Sequence, residues 1–425
     1  MTEQFDLIRV IADQGTSIIE HSKKKYPERT FMFEFTARYW QDIYEARETG
    51  TPIIMTAHPG IPQEMIYALG AVPFAIDAVP IRIASSKDTA KYIDIAEKFI
   101  PSTICALDKV DLGVVMSGDL GFKPAAFVFT TLPCDSGRTA YPAMADLLGV
   151  PCFCLDTPYR KDEAGFSYAA ENLKDAYEFL QKVLGVEHDT EKLAKIIERS
   201  NEALQLLSDV TVMRRLKPCP LPSRLLAMNG MTGSCSGSQY LVDYLRELNE
   251  IGKSAAAKGQ GCTPGEEKYR VLWLQNMMWS SVSIMDWMER EYNAVSVMDS
   301  FGFTGQCIID DPYDYDIIFR GLAERCLGYP MVHGASGPAQ MWLDLTEQQI
   351  EDYSVNLGLF AGHVGCKHTW AAEKIVRDVA ERKYGVPVLS FDLDSVDIRY
   401  KSVDEIKVII GEYMETLEAG KVTLQ

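Results

Sequence analysis

The chain has 425 residues, too many for one simple core, so we expect two or three domains. Its 60 acidic and 42 basic residues give a net charge of −18, which disfavours partners such as nucleic acid or an anionic membrane surface. No apolar run approaches the roughly 20 residues that a spanning helix needs, and no signal peptide is evident, so we expect a cytoplasmic protein with reduced thiols.

The predicted elements divide the chain into four segments. Residues 1–50 carry apolar side chains at helical spacing and predict an N-terminal helical segment. Residues 51–160 predict a first α/β domain, and residues 161–265 predict a helical bridge that ends in a small, polar loop from 252. Residues 266–425 predict a second α/β domain. The predicted strands are 51–57, 72–77, 126–133, 149–156, 269–274, 294–298, 357–361 and 386–391.

One sequence phrase occurs twice. A strand pattern leads to a cysteine, a helical stretch follows, and Gly-Val-Pro then opens a strand that ends in aspartate; the cysteines are Cys134 and Cys366, and the aspartates are Asp156 and Asp392. This phrase is typical of a βαβ unit with a thiol in the loop after its first strand, where open α/β sheets bind ligands. We therefore predict an α/β fold with two similar Rossmann-like parallel-sheet domains that present both thiols to one site.

A third cysteine has a comparable position. Cys105 stands at the start of a probable helix, as do Cys134 and Cys366. Unsatisfied amides at helix N-termini favour thiolates, and three thiolates suit a soft metal or an iron–sulfur cluster. No Cys-x-x-Cys occurs, which disfavours a zinc ribbon, a ferredoxin-type run and a thioredoxin motif.

Other cysteines give weaker signals. Cys152 and Cys154 alternate within an apolar strand, and we expect both to pack in the core. Cys235 lies in Gly-Ser-Cys-Ser-Gly, which imitates a nucleophile elbow but lacks the apolar strand that an elbow requires, so we expect a polar loop there.

His58, Asp77 and His363 are candidates for acid–base work. His58 follows the first strand and Asp77 ends the next one, although a turn or capping role explains either residue equally well. His363 and His368 flank Cys366, so at least one of them should approach whatever that cysteine binds.

Several short motifs, in this order, resemble the family of 2-hydroxyacyl-CoA dehydratases and ATP-dependent benzoyl-CoA reductases. They are His58-Pro-Gly-Ile-Pro-Gln-Glu64, Ile104-Cys-Ala-Leu-Asp108, Leu132-Pro-Cys-Asp135, Gly265-Glu-Glu-Lys-Tyr-Arg270, Ala323-Glu-Arg-Cys-Leu-Gly328 and Val364-Gly-Cys-Lys367. The resemblance implies a [4Fe-4S] cluster held by Cys105, Cys134 and Cys366. It also implies an acyl-CoA substrate, a homologous second subunit and a separate ATP-dependent iron–sulfur activator that donates a low-potential electron.

The resemblance leaves the reaction open between dehydration of a 2-hydroxyacyl-CoA and reduction of an aromatic ring. His58 and Asp77 match family positions that face the acyl group, with His363 as a further catalytic candidate. Dehydratases often have serine where this chain has Pro59 and glutamate where it has Asp77. The Pro59-Gly60 pair and the Glu-Glu-Lys-Tyr-Arg phrase that ends at Arg270 look more like a reductase large subunit. A double-cubane reductase with a larger cluster, using spare cysteines, and an iron–sulfur electron-transfer protein of the same fold remain alternatives.

Overall fold

The structure is a computed structural model that describes residues 5–57, 60–86, 88–275, 278–302 and 307–420. Its strands are β1 (Ile53–Thr56), β2 (Val72–Ala75), β3 (Ala126–Thr130), β4 (Cys152–Leu155), β5 (Tyr269–Trp273), β6 (Ala294–Asp299), β7 (Leu357–His363) and β8 (Val388–Leu393). Its α-helices are α1 (Leu7–Lys25), α2 (Thr30–Thr49), α3 (Glu64–Ala68), α4 (Ala78–Ile83), α5 (Asp88–Ala96), α6 (Ala106–Ser117), α7 (Asp135–Leu148), α8 (Glu163–Leu184), α9 (Thr190–Met213), α10 (Asn229–Ser234), α11 (Gln239–Ala257), α12 (Ser283–Tyr292), α13 (Tyr315–Gly328), α14 (Ala339–Asp352), α15 (Lys367–Asp378) and α16 (Val403–Glu418). Short 3-10 turns span Pro27–Arg29, Ser223–Met228 and Trp279–Ser281, and π turns span Met331–Ala335 and Val379–Lys383.

The strands form two sheets with the same topology. The first has the order β2-β1-β3-β4 and the second has the order β6-β5-β7-β8, and all neighbouring strands are parallel. β3 and β7 occupy the same place in their sheets, and the loops after them carry Cys134 and Cys366. The predicted fold class, a duplicated Rossmann-like α/β architecture, is therefore confirmed.

Each sheet is covered by helices on both faces, and its central strands place apolar side chains on both sides. On β1, Ile53 and Met55 belong to a core with α1 and α2, whereas Ile54 belongs to a core with α3 and α8. The second sheet alternates in the same way: Val271 packs toward α12 and α16, and Leu272 packs toward α14. Continuous apolar strands are typical of parallel sheets buried on two sides.

Helices also join the two halves of the chain. α13 follows β6 in the sequence, yet its Phe319 and Leu322 pack in the same core as Ile54 and Val128 of the first sheet. α8 contacts both that sheet and α13. The N-terminal helices are held as well, because the Tyr39 hydroxyl accepts a hydrogen bond of 3.0 Å from the Ala75 amide at the end of β2. The first sheet is thus completed by residues from distant parts of the sequence.

Three local predictions were wrong. The predicted loop from 252 begins as helix, because α11 continues to Ala257 through small residues that favour helix. Cys152 and Cys154 are exposed rather than packed in the core, because β4 is an edge strand with one face open to solvent. Cys235 is fully buried after the short helix α10, not in a polar loop.

None of the helices in the described part of the chain combines the length and apolar character that crossing a bilayer requires.

Candidate functional site

The three cysteines singled out from the sequence each directly precede a helix. Cys105 is the N-cap of α6, Cys134 of α7 and Cys366 of α15, and none of the three side chains accepts a capping hydrogen bond. Serine, threonine, asparagine or aspartate usually takes this position and caps the helix with its oxygen. Here the sulfurs stand at the positive ends of three helices, and they are available for another partner.

The three cysteines line one cavity of about 350 Å³ between the two sheets. Cys105 lies between α5 and α6, Cys134 follows β3 of the first sheet, and Cys366 follows β7 of the second sheet. The loops touch closely: a Cβ atom on Gly365 would lie 2.7 Å from the Cα atom of Cys105, so only glycine fits there. None of the other cysteines in the described ranges lines this cavity.

His363 contacts one of these thiols. Its Nε2 atom lies 3.1 Å from the Cys105 sulfur, and its Nδ1 atom accepts a hydrogen bond of 3.2 Å from the Ser395 amide. Burial lowers the pKa of His363, so the ring is neutral. A neutral ring that accepts at Nδ1 must carry its proton at Nε2 and therefore donates that proton toward the sulfur. Gln275 fixes this strand end, since its Oε1 accepts a hydrogen bond of 2.7 Å from the His363 amide.

The thiols influence one another electrostatically. Burial raises the pKa of Cys105 well above its usual value, and the charges of Asp108, Cys134 and Cys366 raise it further. Burial and Asp108 raise the pKa of Cys134 too, while the amides at the start of α7 lower it in part. The Cys134 sulfur lies 3.7 Å from Asp108 Oδ2. Cys105 and Cys134 therefore need a nearby positive charge to ionise together, which a bound metal centre would supply.

Carboxyl groups stand at equivalent places on both sheets. Asp77 follows β2 and Asp299 ends β6, the second strand of each repeat, and both line the cavity. Asp299 is 3% exposed, and its Oδ1 accepts a hydrogen bond of 2.8 Å from the Phe301 amide. Its Oδ2 has no hydrogen-bond partner among the described residues, and burial raises its pKa to about 7. Tyr329 lines the same cavity, and burial together with the charges of Asp77 and Asp299 raises the pKa of its hydroxyl.

The structure brings most of the predicted site residues together. Asp77 and His363 line the cavity beside the three cysteines, and His368 also lines it, with its Nε2 atom 3.7 Å from Asp135 Oδ1. Asp77 precedes α4 without capping it, which removes the capping explanation for this residue. His58 lies outside the described residues.

Sequence reasoning missed Asp299 and Tyr329. Asp299 could have been found, because it directly follows an apolar strand, as Asp77 does. Tyr329 follows α13 and reaches the cavity only through tertiary packing, so no local pattern indicates it.

The donor set fits a cluster better than a single ion. No three Cys, His, Asp or Glu side chains within the described ranges are grouped closely enough to hold one metal ion. A cubane cluster bonds each cysteine to a different iron, so its thiolates stand apart around a common centre. The three N-cap cysteines, whose sulfurs accept no capping hydrogen bond, stand around one cavity in this way.

Two sheets of identical topology that share a thiol-lined cavity define a duplicated α/β protein with a partly buried sulfur site. The chain belongs to the family described as 2-hydroxyglutaryl-CoA dehydratase, D-component, whose model matches residues 60–417. This membership confirms the family resemblance and the prediction of an enzyme.

Named relatives align over most of this chain. The (R)-phenyllactyl-CoA dehydratase alpha subunit of Clostridium sporogenes is 22% identical over 431 aligned positions, covering 97% of this chain and 99% of its own length. One of the benzoyl-CoA reductase subunits of Thauera aromatica is 23% identical, covering 91% and 93%. The lactoyl-CoA dehydratase alpha subunit of Anaerotignum propionicum is 20% identical, covering 91% and 95%.

Proposed function

We propose that this chain is a subunit of an oxygen-sensitive iron–sulfur enzyme that activates an acyl-CoA thioester by low-potential electron transfer. The observation that carries the proposal is the convergence of three uncapped N-cap cysteines from both sheets on one cavity. The acyl-CoA substrate rests on the named relatives, which are subunits of acyl-CoA dehydratases and of a benzoyl-CoA reductase.

Cys105, Cys134 and Cys366 would hold a [4Fe-4S] cluster. When bound, such a cluster would supply a low-potential electron to the thioester. That electron would acidify the protons near the thioester, which a side-chain base alone is too weak to remove. The proposal of three ligands rather than a larger cluster is supported by the spare cysteines. Cys235 donates to the Met231 carbonyl at 3.1 Å, and Cys326 lines a different cavity.

His363 acts as a positioning residue for Cys105. Its Nε2–H donates toward the sulfur, while the Ser395 amide holds the other ring nitrogen. Hydrogen bonds to ligand sulfurs tune the electronic properties of metal sites and fix the orientation of the ligands. The neutral ring adds no charge next to the thiol.

Asp299 and Asp77 handle protons. A carboxyl group with a pKa near 7 gives and takes protons readily at neutral pH. The Oδ2 of Asp299, which has no hydrogen-bond partner among the described residues, is the atom at which a substrate proton would arrive, and Tyr329 lines the same cavity. Water is kept away by apolar neighbours of the site, including Met228, Met231 and Trp279.

The partners follow from the same proposal. A homologous second subunit would complete the catalytic core, and a separate ATP-dependent iron–sulfur protein would deliver the electron. The relatives are themselves named as subunits, which supports a partner chain.

The test is anaerobic purification of the wild-type chain and of Cys105→Ser, Cys134→Ser and Cys366→Ser, with iron and sulfide counted in each. Each substitution should deplete iron and abolish conversion of phenyllactyl-CoA, lactoyl-CoA or benzoyl-CoA when the second chain and the activator are supplied. Cys152→Ser is the matched control, because this thiol is exposed and remote from the cavity. Full iron content in all three variants would refute the proposal.

A further inference from the structure

Cations are scarce around the cavity. The protein has a net charge of −18, yet the proposed substrate carries several phosphate charges on its coenzyme A moiety. An acidic protein can take such an anion only where a local cation is available to it. Among the described residues that line the cavity, Arg82 is the one lysine or arginine.

Arg82 is not neutralised by an acid. No carboxylate of the described residues forms an ion pair with it, and its contact across to α1 is a neutral one, from Nη2 to Gln14 Oε1 at 3.4 Å. The side chain is partly buried, and burial lowers its pKa. Most partly buried arginines of this protein have an acid at hand, as Arg47 has Asp6. An unpaired, partly buried guanidinium gains most from a phosphate, which its fork-shaped donors can bind through two oxygens.

The position of Arg82 suits the distal end of an elongated ligand. Asp77 lies beside the sulfur site, and Arg82 is five residues later, about 7.5 Å further along α4. Apolar side chains of α1 and α2 line the same cavity. These are Ile11, Ile18, Met32, Phe33, Ala37 and Trp40.

This part of the cavity, which we call the apolar arm, reaches the protein surface at α1. Ile18 is 37% exposed although it lines the cavity, and Gln14 beside Arg82 is exposed as well. The arm therefore joins a buried reaction site to solvent, with one positive charge along its wall. A pantetheine chain that ends in a phosphate matches this wall, because its chain can contact the apolar side chains and its phosphate can bind the positive charge.

We propose that Arg82 binds a phosphate group of coenzyme A and that the apolar arm holds the pantetheine chain. This inference rests on the proposed function, because it takes the acyl-CoA class from there. It adds the direction from which the substrate enters, between the N-terminal helices and α4. The phosphate is either the 3′-phosphate or the diphosphate of coenzyme A.

The experiment measures equilibrium binding to the holoenzyme by anaerobic calorimetry. The probes are benzoyl-CoA, its 3′-dephospho form, and S-benzoylpantetheine, which keeps the thioester arm but lacks the nucleotide. Arg82→Gln should weaken benzoyl-CoA binding about tenfold or more, as loss of a charge-assisted hydrogen bond does, and leave S-benzoylpantetheine unaffected. Arg82→Lys, which keeps the charge but not the two-oxygen geometry, should lose less affinity than Arg82→Gln.

The remaining measurements identify the phosphate and supply the control. If the 3′-dephospho ligand shows no loss on Arg82→Gln, the 3′-phosphate is the partner; if it shows the same loss, the diphosphate is. Arg9→Gln, on the exposed side of α1 where Arg9 pairs with Asp13 at 3.9 Å, should change nothing. Equal benzoyl-CoA affinity in wild type and Arg82→Gln would overturn the inference.

Failure of the inference and failure of the proposed function give different results. Turnover by the wild type together with unchanged binding in Arg82→Gln refutes the phosphate site alone. Arg82-dependent binding of benzoyl-CoA by a protein that purifies without iron refutes the iron–sulfur function alone. A wild type that binds none of the three ligands, and neither phenyllactyl-CoA nor lactoyl-CoA, refutes both.

Discussion

Ionisation of the buried Asp299 carboxyl should destabilise the folded protein as the pH rises, and replacing Asp299 by asparagine should remove this effect. The folded protein holds this carboxyl in protonated form up to a pKa of about 7, whereas its ordinary value is 3.8. Below pH 3.8 both the folded and unfolded states bind the proton. Between the two values only the folded state keeps it, so stability falls as the pH rises and levels off above pH 7.

The magnitude follows from the two pKa values. At 1.36 kcal/mol per pH unit, the shift from 3.8 to about 7 corresponds to a total of about 4 kcal/mol. The sequence pI of about 4.9 makes the low end of this range impractical, because the protein carries little net charge there. Between pH 6 and pH 8.5 the remaining part of the effect is about 1.4 kcal/mol.

The assay is urea unfolding of wild type and Asp299→Asn at pH 6 and at pH 8.5, in the same metal state. The asparagine keeps the acceptor for the Phe301 amide but carries no charge at either pH. The free energy of unfolding of the variant, relative to that of the wild type, should therefore be about 1.4 kcal/mol higher at pH 8.5 than at pH 6. Asp175→Asn, at an exposed position on α8, is the control. A gain no larger than that of the control would show that Asp299 is ionised below neutral pH in the folded protein.

Three further outcomes are expected. Gly365→Ala should reduce the iron content on anaerobic purification, because its Cβ atom would meet Cys105 at 2.7 Å; Gly328→Ala, with open space around it, should not. His363→Leu should lower the free energy of unfolding by about 1–3 kcal/mol, since it leaves the Ser395 amide buried without its acceptor; a urea midpoint equal to that of wild type would contradict this. The two thiols of β4 should be the first that a maleimide labels in the native protein, as peptide mass spectrometry can establish, and earlier labelling of a buried thiol would refute the assignment of β4 as an open edge.

The duplication was predictable because both repeats carry the same local signals. A buried strand, a cysteine, a helix and a Gly-Val-Pro turn can be recognised in short windows of sequence, and the sheet order then places both cysteines at one end. Cys105 was found by the same kind of local signal, the start of a helix.

What escaped prediction depends on neighbours that are distant in sequence. Alternating apolar residues cannot tell an edge strand from a central one, so Cys152 and Cys154 were assigned to a core that does not cover them. Arg82 has no local signal, because its isolation from carboxylates is a property of the surrounding helices. The role of His363 toward Cys105 likewise needs two loops separated by 258 residues to meet.

The packing of α13 on the first sheet has a consequence for synthesis of the chain. About 170 residues separate the end of β4 from the end of α13, so a nascent first sheet leaves the ribosome well before Phe319 and Leu322 can cover it. At about 5–20 residues per second, part of that apolar face stays open for on the order of ten to thirty seconds. During this interval the chain is exposed to aggregation and to chaperones, and a fragment that ends before α13 should remain in that vulnerable state.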